Sequence, residues 1–296
     1  MAVKKTQPKA KAKLPEQAPA RKPSVEAHAT GRNHCPVVGF GASAGGLEAF
    51  TELLQHVPKE PGIALVFIQH LDPKHASILT ELLARATTLP VMQAADGMHV
   101  EANHVYVIPP SRILKISKGL LRLEPREAGL SMPIDSFFRS LAEDLGNRAI
   151  GVILSGTASD GTLGLMAIKA EGGITFAQDV QSAKYDGMPR SAIAAGCVDF
   201  ILPPEQIARE IMALCHHPYV SSAAATAAPE EEPSFKEVFS MLRSATGVDF
   251  SYYKPGTIRR RTLRRMALQK IGRMDDYVAY LKENRDELRL LFEDIL

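Results

Sequence analysis

The sequence lacks the features that mark membrane-inserted and secreted proteins. It contains no run of about 18 apolar residues, so we expect no membrane insertion. No apolar stretch follows its basic N-terminus, which argues against a secretory signal. The three cysteines, Cys35, Cys197 and Cys215, form neither a C-x-x-C pair nor a zinc-type spacing. Isolated cysteines are typical of a reducing compartment, and we expect a cytoplasmic protein.

Clustered histidines are also missing from the sequence. His99 and His104 flank a predicted loop, and the adjacent His216 and His217 would point apart on a helix. Neither pair has the spacing of a metal-binding motif, so we expect no metal site.

Charge is unevenly distributed along the 296 residues, although the net charge is only +2. Residues 1–33 contain eight Lys or Arg and two Glu, whereas residues 34–218 contain 14 basic and 19 acidic residues. Residues 254–273 contain eight basic residues and no acidic ones. Apolar residues make up 45% of the chain, which is ordinary for globular protein, and the length favours two folded units.

The pattern of apolar residues divides the chain into four segments. Residues 1–33 show no apolar periodicity and predict a disordered basic tail, either a solubilising leader or a tether to an anionic surface. Residues 34–218 alternate strand-like and helix-like segments, which predicts an α/β fold: a mostly parallel, doubly wound (Rossmann-like) sheet with helices on both faces. Residues 219–233 are small and polar and predict a linker, and residues 234–296 predict a small all-α domain.

A glycine-rich turn follows the first predicted strand. The stretch VVGFGASAGG (37–46) has Ser43 at the centre of this turn, and helical spacing of apolar residues begins at Leu47. A strand, a tight turn and a helix in this order are typical of two kinds of functional site. One is phosphate binding at a helix N-terminus, and the other is a serine nucleophile held on a sharp turn.

Polar side chains stand at the carboxyl ends of three predicted buried strands. Ser43 follows VVGFGA, His70 follows IALVFIQ, and Asp160 follows AIGVILSGTAS. Because parallel strands deliver their carboxyl ends to one edge of a sheet, the three residues predict a nucleophilic triad: Ser43 as nucleophile, His70 as general base and acid, and Asp160 as orienter. The order Ser, His, Asp differs from that of α/β-hydrolases, which predicts convergent geometry on another fold.

Two absences weaken the phosphate interpretation of the turn. No G-K-[ST] follows it, as a phosphate loop requires. A dinucleotide fold expects an acidic residue at the end of the second strand, where this chain has Gln69 and His70. Each triad candidate alone has an ordinary structural explanation, as a cap, a strand-end residue or a turn. The three together favour the nucleophile.

At these residues the chain resembles the chemotaxis protein-glutamate methylesterase family, the CheB catalytic domain. The resemblance covers roughly residues 35–215. It implies a cofactor-free serine hydrolase that removes methyl groups from glutamyl esters on the cytoplasmic helices of chemoreceptors and deamidates some receptor glutamines. Matched by position, Ser43, His70 and Asp160 are its triad. The stretches that carry the resemblance are GASAGG (41–46), Gln69-His70-Leu71, SGTASDGTLG (155–164) and FAQDVQSAKYDGMPRSAIAAG (176–196).

The resemblance also implies an oxyanion site and a substrate cleft. The backbone N–H groups of Ala44 and Thr157 are the expected oxyanion donors, and the family often carries Met at the position of Thr157. Arg190 and His75 are candidates for bordering the cleft.

The C-terminal unit resembles the start of the chemotaxis receptor methyltransferase, CheR. Its basic helix implies contact with an acidic receptor, with nucleic acid as the alternative that we do not expect. S-adenosylmethionine would be the cofactor of a methyltransferase catalytic domain that these residues do not include, so we expect the helical domain to be truncated. The residues that carry this resemblance are Tyr253-Lys254-Pro255, Thr257, Ile258, Met266 and the partner-binding candidates Arg259, Arg260, Arg261, Arg264 and Arg265.

Regulation is expected to differ from that of two-domain methylesterases, which carry a receiver domain ahead of the esterase. We expect no receiver within the 33 residues that precede the esterase segment. If the basic helix packs across the Ser43 turn, it would be the gate. The alternative to an enzyme is a catalytically silent, esterase-like scaffold fused to a methyltransferase.

Overall fold

The structure is a computed structural model. The structure describes residues 1, 35–70, 76–126, 132–221, 233–248, 250 and 253–296. The predicted tail beyond Met1, most of the predicted linker and His75 lie outside the described residues.

The described strands form one parallel sheet and one antiparallel hairpin. The strands are β1 Val37–Ala42, β2 Ala64–Gln69, β3 Val91–Gln93, β4 His104–Val107, β5 Arg112–Ser117, β6 Leu120–Pro125, β7 Ala149–Ile153, β8 Ile174–Gln178 and β9 Phe200–Leu202. The parallel sheet has seven strands in the order β3-β4-β2-β1-β7-β8-β9, and β5 pairs with β6 in the hairpin.

Helices follow most of the strands and cover both faces of the sheet, as the alternating pattern predicts. The described helices are α1 Gly46–Leu54, α2 Ala76–Ala84, α3 Pro133–Leu145, α4 Thr162–Ala170, α5 Gly187–Ala194, α6 Pro204–Cys215, α7 Pro218–Ser221, α8 Pro233–Thr246, α9 Pro255–Leu268, α10 Met274–Glu283 and α11 Arg285–Ile295. None of the described helices is long and apolar enough to cross a membrane.

Alternating residues of β1 serve two separate cores. Phe40 packs with α1 and α6, whereas Val37 belongs to the core formed with α3. On the α3 side, β1 has glycines: a Cβ on Gly39 would lie 2.9 Å from the Phe137 ring, and one on Gly41 would lie 2.3 Å from Ile134 Cγ2. The glycines of β1 therefore let α3 approach the middle of the sheet closely.

Two features go beyond the predicted domain pattern. Tyr219 and Val220 of α7 are buried in the α1–α6 core, so the first residues assigned to the linker belong to the folded core. Helices α8 to α11 share a core of their own, and α9 also contributes Ala267 to the α1–α6 core. The described residues from 35 to 296 form one compact unit. The α/β class, followed by a helical region, is confirmed.

Candidate active site

The candidate site lies where loops leave the carboxyl ends of neighbouring parallel strands. Ser43 follows β1, His70 follows β2, and Asp160 lies in the loop between β7 and α4. β1 lies between β2 and β7; the chain moves outward from β1 to β2 and later returns to β7 on the other side. Open parallel sheets bind ligands at such a switch point, because the loops diverge there and leave a crevice.

The loop after β1 forms the tight turn that the sequence predicts. Gly45 has a φ of 74°, a left-handed conformation that glycine adopts without strain, and α1 begins at the next residue. The backbone N–H of Ser43 donates to Ser155 O at 3.0 Å, and that of Gly46 donates to Ser43 O at 3.0 Å. These bonds fix the backbone of Ser43, which is half-buried.

Asp160 and His70 are joined by a hydrogen bond of 2.8 Å between carboxylate Oδ2 and imidazole Nε2. The Asp160 side chain is 1% exposed and that of His70 is 28% exposed, so the pair is shielded at the carboxylate and open at the ring. Because Nε2 faces the carboxylate, Nδ1 is the ring nitrogen that remains for proton exchange with a third group. The backbone N–H of His70 donates to Ala42 O at 3.3 Å, which holds the His70 backbone beside the Ser43 loop.

The Asp160 carboxylate is held by the first turn of α3. The backbone N–H of Ile134 donates to Oδ2 at 3.1 Å, and that of Asp135 donates to Oδ1 at 2.9 Å. A helix N-terminus has unpaired N–H groups and favours negative charge, so α3 both orients and stabilises this carboxylate. The glycines of β1 matter here, since they bring α3 close to the sheet.

A second buried carboxylate ties α3 to α4. Asp135 Oδ1 accepts from the backbone N–H of Gly164 at 2.7 Å, in the first turn of α4. Burial raises the pKa of Asp135 above 3.8 and the charge of Asp160 adds to this, while the Gly164 hydrogen bond opposes it. Asp160 comes just before α4 and caps α3, and Asp135 on α3 binds α4 in return. The two helices therefore hold the Asp160 loop from both sides.

We expect Asp135→Asn to gain stability relative to wild type as the pH rises. A carboxyl with a raised native pKa binds its proton more tightly when folded, so wild type loses this contribution as the pH rises from 3.8 through the native pKa. Asparagine keeps an acceptor for the Gly164 N–H and carries no charge. Thermal unfolding of both proteins between about pH 3 and pH 7 tests this, and a stability difference that does not change with pH would contradict it.

The two predicted oxyanion donors lie in the loops that meet at Ser43. Ala44 follows Ser43 directly, and the Ser43 carbonyl accepts from Gln69 Nε2 at 3.4 Å, which restrains the peptide that carries the Ala44 N–H. Gly156 precedes Thr157 and comes so close that a Cβ on it would lie 2.9 Å from Ser43 Cβ. The placement is compatible with an oxyanion role, which stays a prediction for both residues.

Arg190 lies on the exposed side of α5. Its Nε donates to Asp186 Oδ2 at 2.6 Å, and both side chains are exposed to solvent. The start of α5 packs beside the loop after β7, because the N–H of Met188 donates to Gly156 O at 2.9 Å, and Gly156 in turn lies next to Ser43. Arg190 is therefore a surface charge on a helix that borders the site, and its role in a cleft stays a prediction.

Burial contradicts the predicted partner-binding role of Arg264 and Arg265 on α9. Arg264 is 1% exposed and pairs with Asp199 at 2.5 Å and with Asp294 at 3.2 Å. Arg265 donates to both carboxylate oxygens of Glu287, at 2.9 Å and 2.5 Å. Side chains held in buried ion pairs within the chain do not reach an external partner.

The other three arginines of α9 are half-buried. Arg261 donates to Lys169 O at 3.3 Å and to Ala170 O at 3.1 Å, which are carbonyls at the C-terminal end of α4. A cation at a helix C-terminus interacts favourably with the unpaired carbonyls and the dipole. Partner binding by Arg259, Arg260 and Arg261 stays a prediction.

α9 docks on the edge of the sheet opposite the candidate site. Arg264 contacts Asp199, which precedes β9, and its Nε donates at 3.1 Å to Gly173 O, which precedes β8. These residues lie at the amino ends of the strands, whereas Ser43 and Asp160 lie beyond the carboxyl ends. The placement therefore contradicts a gate formed by α9 across the Ser43 turn.

Sequence reasoning missed two buried polar residues next to the site, Asp135 and Ser155. Asp135 shares the apolar stripe of α3 with Phe138 and Ala142, at helical spacing. Ser155 comes two residues after the last residue of an entirely buried strand. A polar side chain among apolar neighbours needs hydrogen-bond partners. That signal was present in the sequence at Asp135 and would have indicated structural contacts there, whereas Ser155 begins the polar stretch SGTASDGT (155–162) and does not stand out.

Comparisons with known proteins indicate the family of this chain. Residues 38–211 match the family model described as CheB methylesterase, and residues 233–296 match CheR methyltransferase, all-alpha domain. Protein-glutamate methylesterase/protein-glutamine glutaminase 3 of Burkholderia orbicola is 39% identical over 185 residues, which cover 62% of this chain and 55% of that protein. An uncharacterized 104.1 kDa protein of Rhodobacter capsulatus is 36% identical over 241 residues, which cover 74% of this chain and 25% of that protein.

A solved structure is similar as well. The crystal structure of the Thermotoga maritima CheB methylesterase catalytic domain has a TM-score of 0.57 and 28% sequence identity, and the match covers 61% of this chain and 98% of that one. The chain spans only a quarter to about half of the two relatives named above. Because the family model matches more than half of the 296 residues and the fold agrees with that of the solved domain, the chain belongs to the CheB methylesterase family.

Proposed function

We propose that this chain is a serine hydrolase that removes methyl groups from glutamyl methyl esters on the cytoplasmic helices of chemoreceptor-type proteins. The observation that carries the proposal is the 2.8 Å hydrogen bond between Asp160 and His70 beside the Ser43 turn. Membership of the CheB methylesterase family supports the substrate class, as does the relatives' name, protein-glutamate methylesterase/protein-glutamine glutaminase.

In the first half of the proposed reaction, His70 Nδ1 takes the Ser43 proton as Oγ attacks the γ-carbonyl carbon of the ester. Asp160 stays ionised and stabilises the imidazolium that forms. The oxyanion of the tetrahedral intermediate accepts hydrogen bonds from the N–H groups of Ala44 and Thr157, each worth about 3 kcal/mol of barrier. When the C–O bond breaks, the methoxy group takes the proton from His70 and leaves as methanol.

In the second half, water hydrolyses the glutamyl ester on Ser43. His70 takes a proton from the water as it attacks the acyl carbon, and then returns a proton to Ser43 Oγ as that bond breaks. The products are the glutamate side chain and the free enzyme. A glutamine side chain attacked in the same way would release ammonia instead of methanol, so we extend the proposal to deamidation. All steps use side chains, backbone N–H groups and water.

The proposal is tested by methanol release from a methylated chemoreceptor. The protein as described should release methanol over many turnovers, whereas the Ser43→Ala variant should stay at the rate of buffer. A methylesterase of known activity, run on the same receptor preparation, shows that the substrate is competent. If that enzyme releases methanol and this chain does not, the scaffold alternative is correct and the proposed function is wrong.

A further inference from the structure

Ser155 lies at the centre of the contacts that surround the Ser43 turn, the tight turn after β1. It is fully buried, with 0% exposure, so it cannot touch a substrate. Its backbone O accepts from the Ser43 N–H at 3.0 Å, and its N–H donates to Gln178 Oε1 at 2.8 Å, at the end of β8. Ser155 thus continues the pairing of β1, β7 and β8 beyond the strand ends, where the loops have begun to diverge.

The hydroxyl of Ser155 joins the Ser43 turn to the loop of residues 179–186. It accepts from the Tyr185 N–H at 2.9 Å, and two carbonyls lie within reach of its proton: Ala44 O at 2.9 Å and Tyr185 O at 3.2 Å. Tyr185 O already accepts from the Gly156 N–H at 2.9 Å. A hydroxyl donates only one proton. Ala44 O is the nearer of the two carbonyls, and Tyr185 O already has another donor, so we assign the Ser155 proton to Ala44 O.

The atoms around this hydroxyl are closely packed. A Cβ on Gly45 would lie 2.7 Å from Ser155 Oγ, 2.9 Å from Lys184 Cβ and 3.2 Å from Tyr185 Cδ2. The loop of residues 179–186 therefore packs directly over the turn, and the Ser155 hydroxyl is the hydrogen-bonding group between the two.

We propose that Ser155 is a positioning residue for ester hydrolysis, and this inference rests on the proposed function. Its hydroxyl holds the Ala44 carbonyl and through it the turn that carries Ser43 Oγ and the Ala44 N–H. Without the hydroxyl, Ala44 O and the Tyr185 N–H lose this partner and the turn relaxes. Because a displacement of about 1 Å can cost about 10²-fold in rate, the effect falls on kcat.

The test compares Ser155→Ala with Ser140→Ala in the full chain. Ser140 is a matched control: its hydroxyl also bridges backbone groups, accepting from the Ile116 N–H at 3.0 Å and donating to Phe137 O at 2.8 Å, but it joins α3 to the β5–β6 hairpin. We expect Ser155→Ala to lower kcat about 10- to 100-fold, with KM and the pH profile unchanged, and Ser140→Ala to keep the wild-type kcat. If Ser155→Ala does not fold, Ser155→Cys, whose thiol is larger than the hydroxyl and donates only weakly, replaces it in the comparison and should also lower kcat relative to Ser140→Ala.

Amide hydrogen exchange gives a readout that does not depend on activity. The Tyr185 amide should exchange at least about tenfold faster in Ser155→Ala than in wild type, while core amides of β1 keep their protection. Unchanged exchange at Tyr185 together with wild-type kcat would overturn the positioning role, and so would equal losses of kcat in both alanine variants. Absence of methanol release by wild type would refute the proposed function instead, with the exchange result still deciding whether the hydroxyl holds the turn.

Discussion

Replacing His70 with alanine is expected to lower the rate of glutamyl ester hydrolysis by about 10⁴- to 10⁶-fold. The loss is large because the imidazole is the only group in the proposed reaction that accepts the Ser43 proton and returns one to the leaving group. Its side chain is 28% exposed and makes one side-chain hydrogen bond that the structure records, to Asp160. The variant should fold, because the buried Asp160 carboxylate keeps the backbone N–H groups of Ile134 and Asp135 as donors. Thermal unfolding beside the methanol-release assay separates loss of chemistry from loss of structure.

The double variant Ser43→Ala/His70→Ala makes this prediction sharper. Residues that act as one unit are not additive, so the second substitution should lower the rate by less than about threefold beyond the first. His56→Ala is a control of the same type, since the His56 ring binds Glu52 O at 3.0 Å on the surface of α1. A His70→Ala variant within about tenfold of wild type would mean that another group is the base.

Replacing Arg264 with methionine is expected to lower the free energy of unfolding by about 3–5 kcal/mol. Burial opposes the charge of Arg264, but Asp199 and Asp294 outweigh it and hold its pKa above the ordinary value. Methionine keeps the apolar stem and leaves the 5%-exposed Asp199 without its guanidinium partner, although Thr175 Oγ1 still donates to that carboxylate at 2.9 Å. Lys169 Nζ also stays 3.5 Å from Asp199 Oδ1, but its side chain is 31% exposed. The cost is therefore that of a buried carboxylate deprived of its closest cation. Urea unfolding of both proteins measures it.

Two further variants distinguish the stability cost of breaking this buried ion pair from the general cost of removing an arginine. Arg209→Met also removes one partner of an ion pair, with Glu205, but on the exposed face of α6, and should change stability by less than about 0.5 kcal/mol. Arg264→Met/Asp199→Asn should cost less than the sum of the single changes, because it removes both charges of the buried pair. If Arg264→Met costs no more than Arg209→Met, α9 does not dock on the sheet as described.

The misjudged role of α9 shows what local charge cannot reveal. Eight basic residues and no acidic ones in residues 254–273 indicate an exposed surface for an acidic partner. The carboxylates that neutralise α9 come instead from Asp199, Glu287 and Asp294, none of which lies within that window. Only the tertiary structure brings them together. A basic helix therefore predicts an acidic partner, but that partner can be another part of the same chain.

The fold and the placement of Ser43, His70 and Asp160 at one edge of the sheet could be predicted because their signals are local. Continuous apolar runs such as IALVFI indicate strands buried on both faces, and parallel strands bring their carboxyl ends to one edge. The Asp160–His70 contact follows from that rule alone, although the two residues are 90 positions apart. The roles of Asp135 and Ser155 could not be predicted in the same way. Their partners are backbone groups of other loops, and which backbone groups lack a partner is known only once the loops are placed.

The most direct test of the account is to identify the residue that becomes acylated. The full chain is mixed with methylated receptor, quenched in acid during the first turnovers, digested and analysed by mass spectrometry. We predict a receptor glutamyl peptide joined as an ester to the peptide that contains Ser43, and no such adduct in the Ser43→Ala variant. Methanol release by wild type with an adduct on another residue, or an unchanged rate in Ser43→Ala, would contradict the assignment of Ser43 as nucleophile.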